Sequence, residues 1–174
     1  PSNVKLNKKG YQDVSRVINK SLNPININNF NLLRKQDDIL VLDVRSKSLF
    51  SKGHVPGSLF IGLEGMFAPW AGTLIGDINQ KIIIVSSNGK EEEAISRLAR
   101  VGFDNVVGFL DGGYDKWAKS SRKINKIKCI SAEEFINEAR SSRKNIYDVR
   151  DEDEFKIGHF PGAKNTPLKN IEKY

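Results

Sequence analysis

The sequence predicts a three-layer α/β protein, a central parallel sheet covered by helices on both faces. Three observations carry this expectation. Short unbroken apolar runs at residues 39–42 and 82–85 suit strands buried on both faces, not half-exposed strands that alternate apolar and polar. Helical stretches fall between those runs, the order that leads to parallel pairing. The chain also repeats itself at a fixed offset of 105 residues, so one kind of module accounts for both stretches.

The elements follow in order. Residues 12–20 have the spacing of a short amphipathic helix, stopped by Asn23-Pro24. Asn26 can cap a helix over residues 28–34, because its side-chain oxygen can accept from the first free backbone N–H groups. A strand at 39–43, a short helix at 46–52, a strand at 59–61 and a strand at 81–86 come next. A helix at 90–101, a strand at 105–110 and a helix from Tyr114 complete the unit.

The repeat is ungapped. Asp43-Val44-Arg45 recurs as Asp148-Val149-Arg150, Phe50 as Phe155, Gly53-His54 as Gly158-His159, Pro56-Gly57 as Pro161-Gly162, and Leu63 as Leu168. Upstream, Ile25 and Phe30 fall on Ile130 and Phe135, and the cap Asn26 falls on Ser131, another good cap. The organisation expected is a linker over residues 1–24, one module over 25–120, and a linker with the truncated first half of a second module over 121–174. The chain starts at Pro1 and its one methionine is Met66, so an excised piece of a longer protein is expected.

A chain of 174 residues, 39% hydrophobic, can bury a real core, and no apolar run approaches the roughly 20 residues of a membrane span. The single cysteine, Cys129, excludes an internal disulfide framework and makes a reducing, cytoplasmic setting the expectation. The net charge of +7 raises the question of nucleic acid, but 19 lysines against 9 arginines, without a stripe of interleaved aromatics, favour a solvated surface. No nucleic-acid, membrane or cofactor partner is expected.

Several motifs occur in one order: Asp43-Val44-Arg45, Gly53-His54-Val55-Pro56-Gly57-Ser58, Gly102-Phe103-Asp104-Asn105-Val106, and Leu110-Asp111-Gly112-Gly113 followed by Trp117. In this they resemble the rhodanese-like domain, over the whole first unit and the beginning of the next. The resemblance implies a sulfurtransferase fold. It also implies a loop of the form C-x-x-G-x-R between the fourth strand and its helix, whose cysteine carries a persulfide amid backbone N–H groups.

Here that loop reads Ser86-Ser87-Asn88-Gly89-Lys90. Matching on Gly89 puts Ser86 at the cysteine position, whereas matching on Ala94, Leu98 and Gly102 puts Val85 there. Neither supplies sulfur, and a serine hydroxyl cannot form a persulfide. Glu91, Glu92 and Glu93 follow, so the chain's own acids are expected where an active loop would hold an anion, and Asn88 with Glu91 has the spacing of a capping box. A serine nucleophile at Ser86 or Ser87 is the rival reading, but the glycine pattern of a nucleophile elbow is absent. No catalytic residue is assigned.

His54 and His159 occupy one repeat position, which favours a structural element over a base or a metal ligand, and no metal site is expected. Asp43 with Arg45, like Asp148 with Arg150, reads as an ion pair fixing the turn after a strand, with a functional role at the strand end as the alternative. Cys129 reads as a small apolar residue more than a reactive thiol. The stretch 65–72, with Met66, Phe67 and Trp70, is an insertion that would make either an exposed packing surface or core filling.

The insertion, the N-terminal stretch 3–11, the Gly89-Lys90-Glu91-Glu92-Glu93 helix start and the tandem arrangement together resemble the C-terminal part of bacterial fusions of a metallo-β-lactamase-fold domain, often a persulfide dioxygenase, with two rhodanese domains. That likeness implies an upstream metallo-β-lactamase-fold domain and the remainder of a second rhodanese domain as partners in the parent. The expected function is then a catalytically silent scaffold or interaction module of a sulfur-handling enzyme. Two alternatives stay open: part of an active sulfurtransferase whose cysteine loop lies about 105 residues after Ser86, or a basic binding module.

Overall fold

The computed structural model describes residues 14–141 and 145–173. The chain forms two compact units, the first ending at Lys128 and the second beginning at Cys129.

In the first unit α1 (Val14–Ser21), β1 (Pro24–Ile25), α2 (Ile27–Leu33), β2 (Ile39–Asp43), α3 (Lys47–Lys52) and β3 (Leu59–Phe60) come first. Then follow α4 (Phe67–Leu74), β4 (Lys81–Val85), α5 (Glu91–Arg100), β5 (Val106–Leu110) and α6 (Gly113–Ala118). The strands pair in the order β1-β5-β4-β2-β3, all in parallel. The three-layer α/β expectation holds. Successive side chains of a strand face opposite ways, so β4 feeds two cores: Ile82 and Ile84 pack with Phe67, Ala94, Ile95 and Leu98, and Ile83 and Val85 with Phe30, Val41 and Trp117.

Sheet order sets where a site can form. From β2 the chain passes to β3 on one side, and from β4 to β5 on the other, so the loops leaving the adjacent ends Asp43 and Val85 diverge. A crevice opens between them, at the switch point where open α/β sheets place ligands. Asn26 caps α2 as expected, accepting from the N–H groups of Asn28 at 3.1 Å and Asn29 at 3.0 Å.

The structure corrects two boundaries. Residues 14–24 are not a linker: Val17 is buried, Ile18 and Leu22 pack on the core, and β1 pairs with β5. An isolated helix of this length is marginal in water, so it forms because its apolar stripe finds α5 and the neighbouring β5. Residues 1–13 lie outside the described ones. At the other end the first unit continues past residue 120, because Ile124 packs on the second core cluster and Asn125 bridges to His54. The insertion divides between its two readings: Phe67 and Ala71 are core residues, and Met66 and Trp70 face outward. Among the described residues no helix is long and apolar enough to cross a membrane.

The second unit holds α7 (Ala132–Ser141), β6 (Tyr147–Asp148), α8 (Glu152–Ile157), β7 (Lys164–Asn165) and a 3₁₀ helix (Leu168–Lys173). β6 and β7 are parallel. Ser131 caps α7 in a reciprocal box: its hydroxyl accepts from the Glu134 N–H at 3.1 Å, and its own N–H donates to the Glu134 carboxylate at 2.8 Å.

Candidate functional site

The crevice begins with the turn after β2. Asp43 is fully buried, and Arg45 folds back onto it: Nε donates to Oδ1 at 2.9 Å and Nη2 to Oδ2 at 2.6 Å. The Arg45 backbone N–H donates to the same carboxylate at 3.1 Å, and Nη2 also reaches the Gly53 carbonyl at 2.8 Å. One arginine thereby ties the strand end to the end of α3. The Tyr114 ring covers its guanidinium at 4.0 Å, and burial pushes the Tyr114 phenol up from its ordinary value. Gly53 lets the Tyr114 hydroxyl approach closely, because a Cβ there would collide with it unless the ring shifted. The pair closes the turn that follows β2.

His54 is structural in its contacts. Its Nδ1 lies 3.0 Å from the Phe50 carbonyl and so carries the proton there, and the ring stacks on Phe50 at 3.9 Å. In the second unit Asp148, Arg150 and His159 repeat the arrangement. Arg150 Nη2 donates to Asp148 at 2.6 Å and to the Gly158 carbonyl at 2.8 Å, and His159 Nδ1 lies 2.9 Å from the Phe155 carbonyl.

The other wall is the loop after β4. Val85 ends the strand with its side chain in the core, so Ser86 is the first residue on the loop, at the place that matching on Gly89 assigns to the family's cysteine. Its hydroxyl, almost entirely buried, donates to Glu91 Oε1 at 3.0 Å. Residues 87–90 make a turn closed by the Lys90 N–H on the Ser87 carbonyl at 3.0 Å, with Gly89 at φ +80°. The capping box expected of Asn88 and Glu91 is absent. Because the turn uses those residues, α5 starts at Glu91 behind Lys90, with no side-chain cap. Glu91 is thereby free to accept the Ser86 hydrogen bond, and counting from Gly89 it stands where the C-x-x-G-x-R loop has its arginine.

Glu93, two residues further, is bound by Lys90 at 2.8 Å and Arg97 at 2.7 Å, and the Lys90 hydrogen bond leads in holding its carboxyl below the ordinary value. Two clefts flank Ser87. One, of about 270 Å³, is lined by Arg45, Lys52, Ser86, Asn88 and Tyr114; the other, of about 510 Å³, by Leu49, Leu63, Glu64, Lys90 and Arg97. No thiol lines either cleft. Cys129 is exposed and belongs to the second unit. Among the described residues no cluster of three or more His, Cys, Asp or Glu could hold a metal ion.

The crevice thus brings together Asp43, Arg45 and the loop residues 86–90. Two participants were not visible in the sequence. Tyr114 falls on a position that the motif leaves unspecified, between Gly113 and Trp117, and the Ser86–Glu91 bond depends on where the helix begins.

A family model described as the rhodanese-like domain matches residues 28–120. The chain is 30% identical over 96 residues to the thiosulfate sulfurtransferase GlpE of Pseudoalteromonas translucida (strain TAC 125), covering 54% of this chain and 88% of that protein. It is 32% identical over 89 residues to thiosulfate sulfurtransferase 16, chloroplastic, of Arabidopsis thaliana, covering 45% and 73%. Among solved structures, the BH2092 protein of Bacillus halodurans superposes with a TM-score of 0.51 at 19% identity, over 67% of this chain and 90% of that one. The C339A/C370A variant of EanB with hercynine superposes with a TM-score of 0.56 at 16% identity, over 91% of this chain and 42% of that one. At these identities the solved structures speak for the fold alone. Motif order, fold and family match agree, and the chain belongs to the rhodanese-like domain family.

Proposed function

We propose that the first unit is a catalytically silent rhodanese-like module, acting as a scaffold or interaction domain within a larger sulfur-handling protein. The observation that carries this reading is the Ser86 hydroxyl bound to the Glu91 carboxylate at the position of the family's cysteine. Sulfur transfer needs a polarizable thiolate that can hold a second sulfur, and a hydroxyl oxygen cannot. The adjoining carboxylate adds a negative charge where an anionic donor such as thiosulfate would approach, so the loop is unsuited to the substrate as well as to the chemistry.

The parent is read as a fusion with an upstream metallo-β-lactamase-fold domain and a second rhodanese copy beginning near Ile130. The Asp148–Arg150 turn, bonded like Asp43–Arg45, supports that second copy, as does the fold-level match to EanB running past the first unit. If the parent transfers sulfur, the second copy is the place for its thiol. The test is a cyanide-acceptor assay with thiosulfate and with a low-molecular-weight persulfide. The chain is expected to give no turnover; turnover that survives Cys129→Ser would overturn the proposal.

A further inference from the structure

One short segment is rich in basic residues, of which Lys116 is paired with Asp111. Residues 116–128 contain six basic side chains, Lys116, Lys119, Arg122, Lys123, Lys126 and Lys128, and no acidic one. This segment is fixed to the first unit by its backbone. Trp117 Nε1 donates to the Lys123 carbonyl at 3.1 Å, and Asn125 exchanges hydrogen bonds with His54 at 3.0 and 2.9 Å. The Ile127 N–H donates to the Ser51 carbonyl at 2.9 Å, and Ile124 packs on the core. With the backbone held inward, Lys119, Lys123 and Lys126 stand in solvent, and among the described residues none of the three makes an ion pair.

Two arginines extend the strip. Arg122 lies 5.6 Å from the Trp117 ring centroid and Arg34, from the end of α2, lies 5.2 Å from the same ring. Their hydrogen-bond partners are neutral: Asn28 Oδ1 for Arg122 at 2.7 Å, and Asn31 Oδ1 at 2.9 Å and the Pro56 carbonyl at 3.4 Å for Arg34. The fold therefore orients two guanidinium groups without neutralising them, which lowers the ordering cost for an incoming anion.

We propose that this strip is a docking surface for an acidic polypeptide segment. Charge complementarity selects a polyanion. The strip's one aromatic, Trp117, is buried and cannot stack on bases, whereas the half-exposed Ile127 among the lysines gives a peptide an apolar contact. The inference is independent of the loop at Ser86, so it stands or falls apart from the catalytic reading.

The test titrates the full chain with a fluorescent glutamate-rich peptide, and with a DNA duplex of matched charge, at low and raised salt. Saturable peptide binding that weakens with salt is expected. Lys123→Gln/Lys126→Gln, at side chains with no structural partner, should weaken it about tenfold, and Arg34→Gln/Arg122→Gln comparably, in proteins whose melting curves match the parent's. The proposal is overturned if the chain does not bind the peptide at low salt, if the lysine variant binds with unchanged affinity, or if the duplex binds more tightly than the peptide.

Discussion

Asp43 with Arg45 and Asp148 with Arg150 make the same set of hydrogen bonds, with carboxylate contacts of 2.6 Å in both, yet their surroundings differ. In the first unit the Arg45 and Asp43 side chains are 4% and 0% exposed; in the second, Arg150 and Asp148 are 45% and 14% exposed. The local sequence, D-V-R followed by Gly and His, is enough to build the turn. What buries it is the rest of the module. The Val44 N–H donates to the Val85 carbonyl at 2.9 Å and the Tyr114 ring covers the guanidinium, and among the described residues the second unit has no strand or ring in those places. Identical contacts should therefore carry unequal energies.

The largest expected effect breaks the comparison at the arginine. Arg45→Ala strands a fully buried carboxylate and should cost about 3–5 kcal/mol, read as a large fall in the melting midpoint of the first unit. Arg150→Ala, at an exposed pair screened by solvent, should leave thermal stability nearly unchanged. Equal losses would mean that burial does not set the worth of the pair.

A sharper version uses the glycines whose carbonyls accept from the arginines. Gly53 and Gly158 share an extended backbone, at φ 170° and 173°, so a side chain meets no conformational strain at either. A Cβ at Gly53 runs into the Tyr114 hydroxyl, and one at Gly158 meets nothing. Gly53→Ala should destabilise by about 1–3 kcal/mol, and Gly158→Ala should stay within about 0.5 kcal/mol of the parent in denaturant unfolding.

The smallest effect is a titration. The Arg150 hydrogen bond, foremost, holds the Asp148 carboxyl below its ordinary 3.8. A carboxyl depressed in the folded state stabilises it above that value, and the contribution is lost as pH falls through the lowered one. NMR titration of Asp148 should give a midpoint below 3.8, returning toward it in Arg150→Ala.

How far these features can be read from sequence follows from their range. The apolar runs at 39–42 and 82–85 and the Asn26 and Ser131 caps depend on near neighbours and were legible. The missing sulfur was legible because it is a matter of residue identity. The docking of α1 was not, since Val17 and Ile18 acquire meaning only from the helix α5 and the strand β5 they pack against. Nor was the split in the insertion: Phe67 and Trp70 are both aromatic, and their position on α4 decides which is buried. Tyr114 over Arg45 joins residues far apart in the chain, and the Glu91 lock on Ser86 depends on the turn at 87–90 that makes Glu91 the first helical residue.

The central claim is that the first unit is silent because its loop lacks a thiol and is closed by its own carboxylate. Persulfide formation at position 86 tests this most directly, measured by peptide mass spectrometry after exposure to thiosulfate in a Cys129→Ser background. The account predicts no sulfur adduct with Ser86 in place, little with Ser86→Cys, and clearly more with Ser86→Cys/Glu91→Arg. An adduct or turnover with Ser86 retained, or equal yields from the single and double variants, would contradict it.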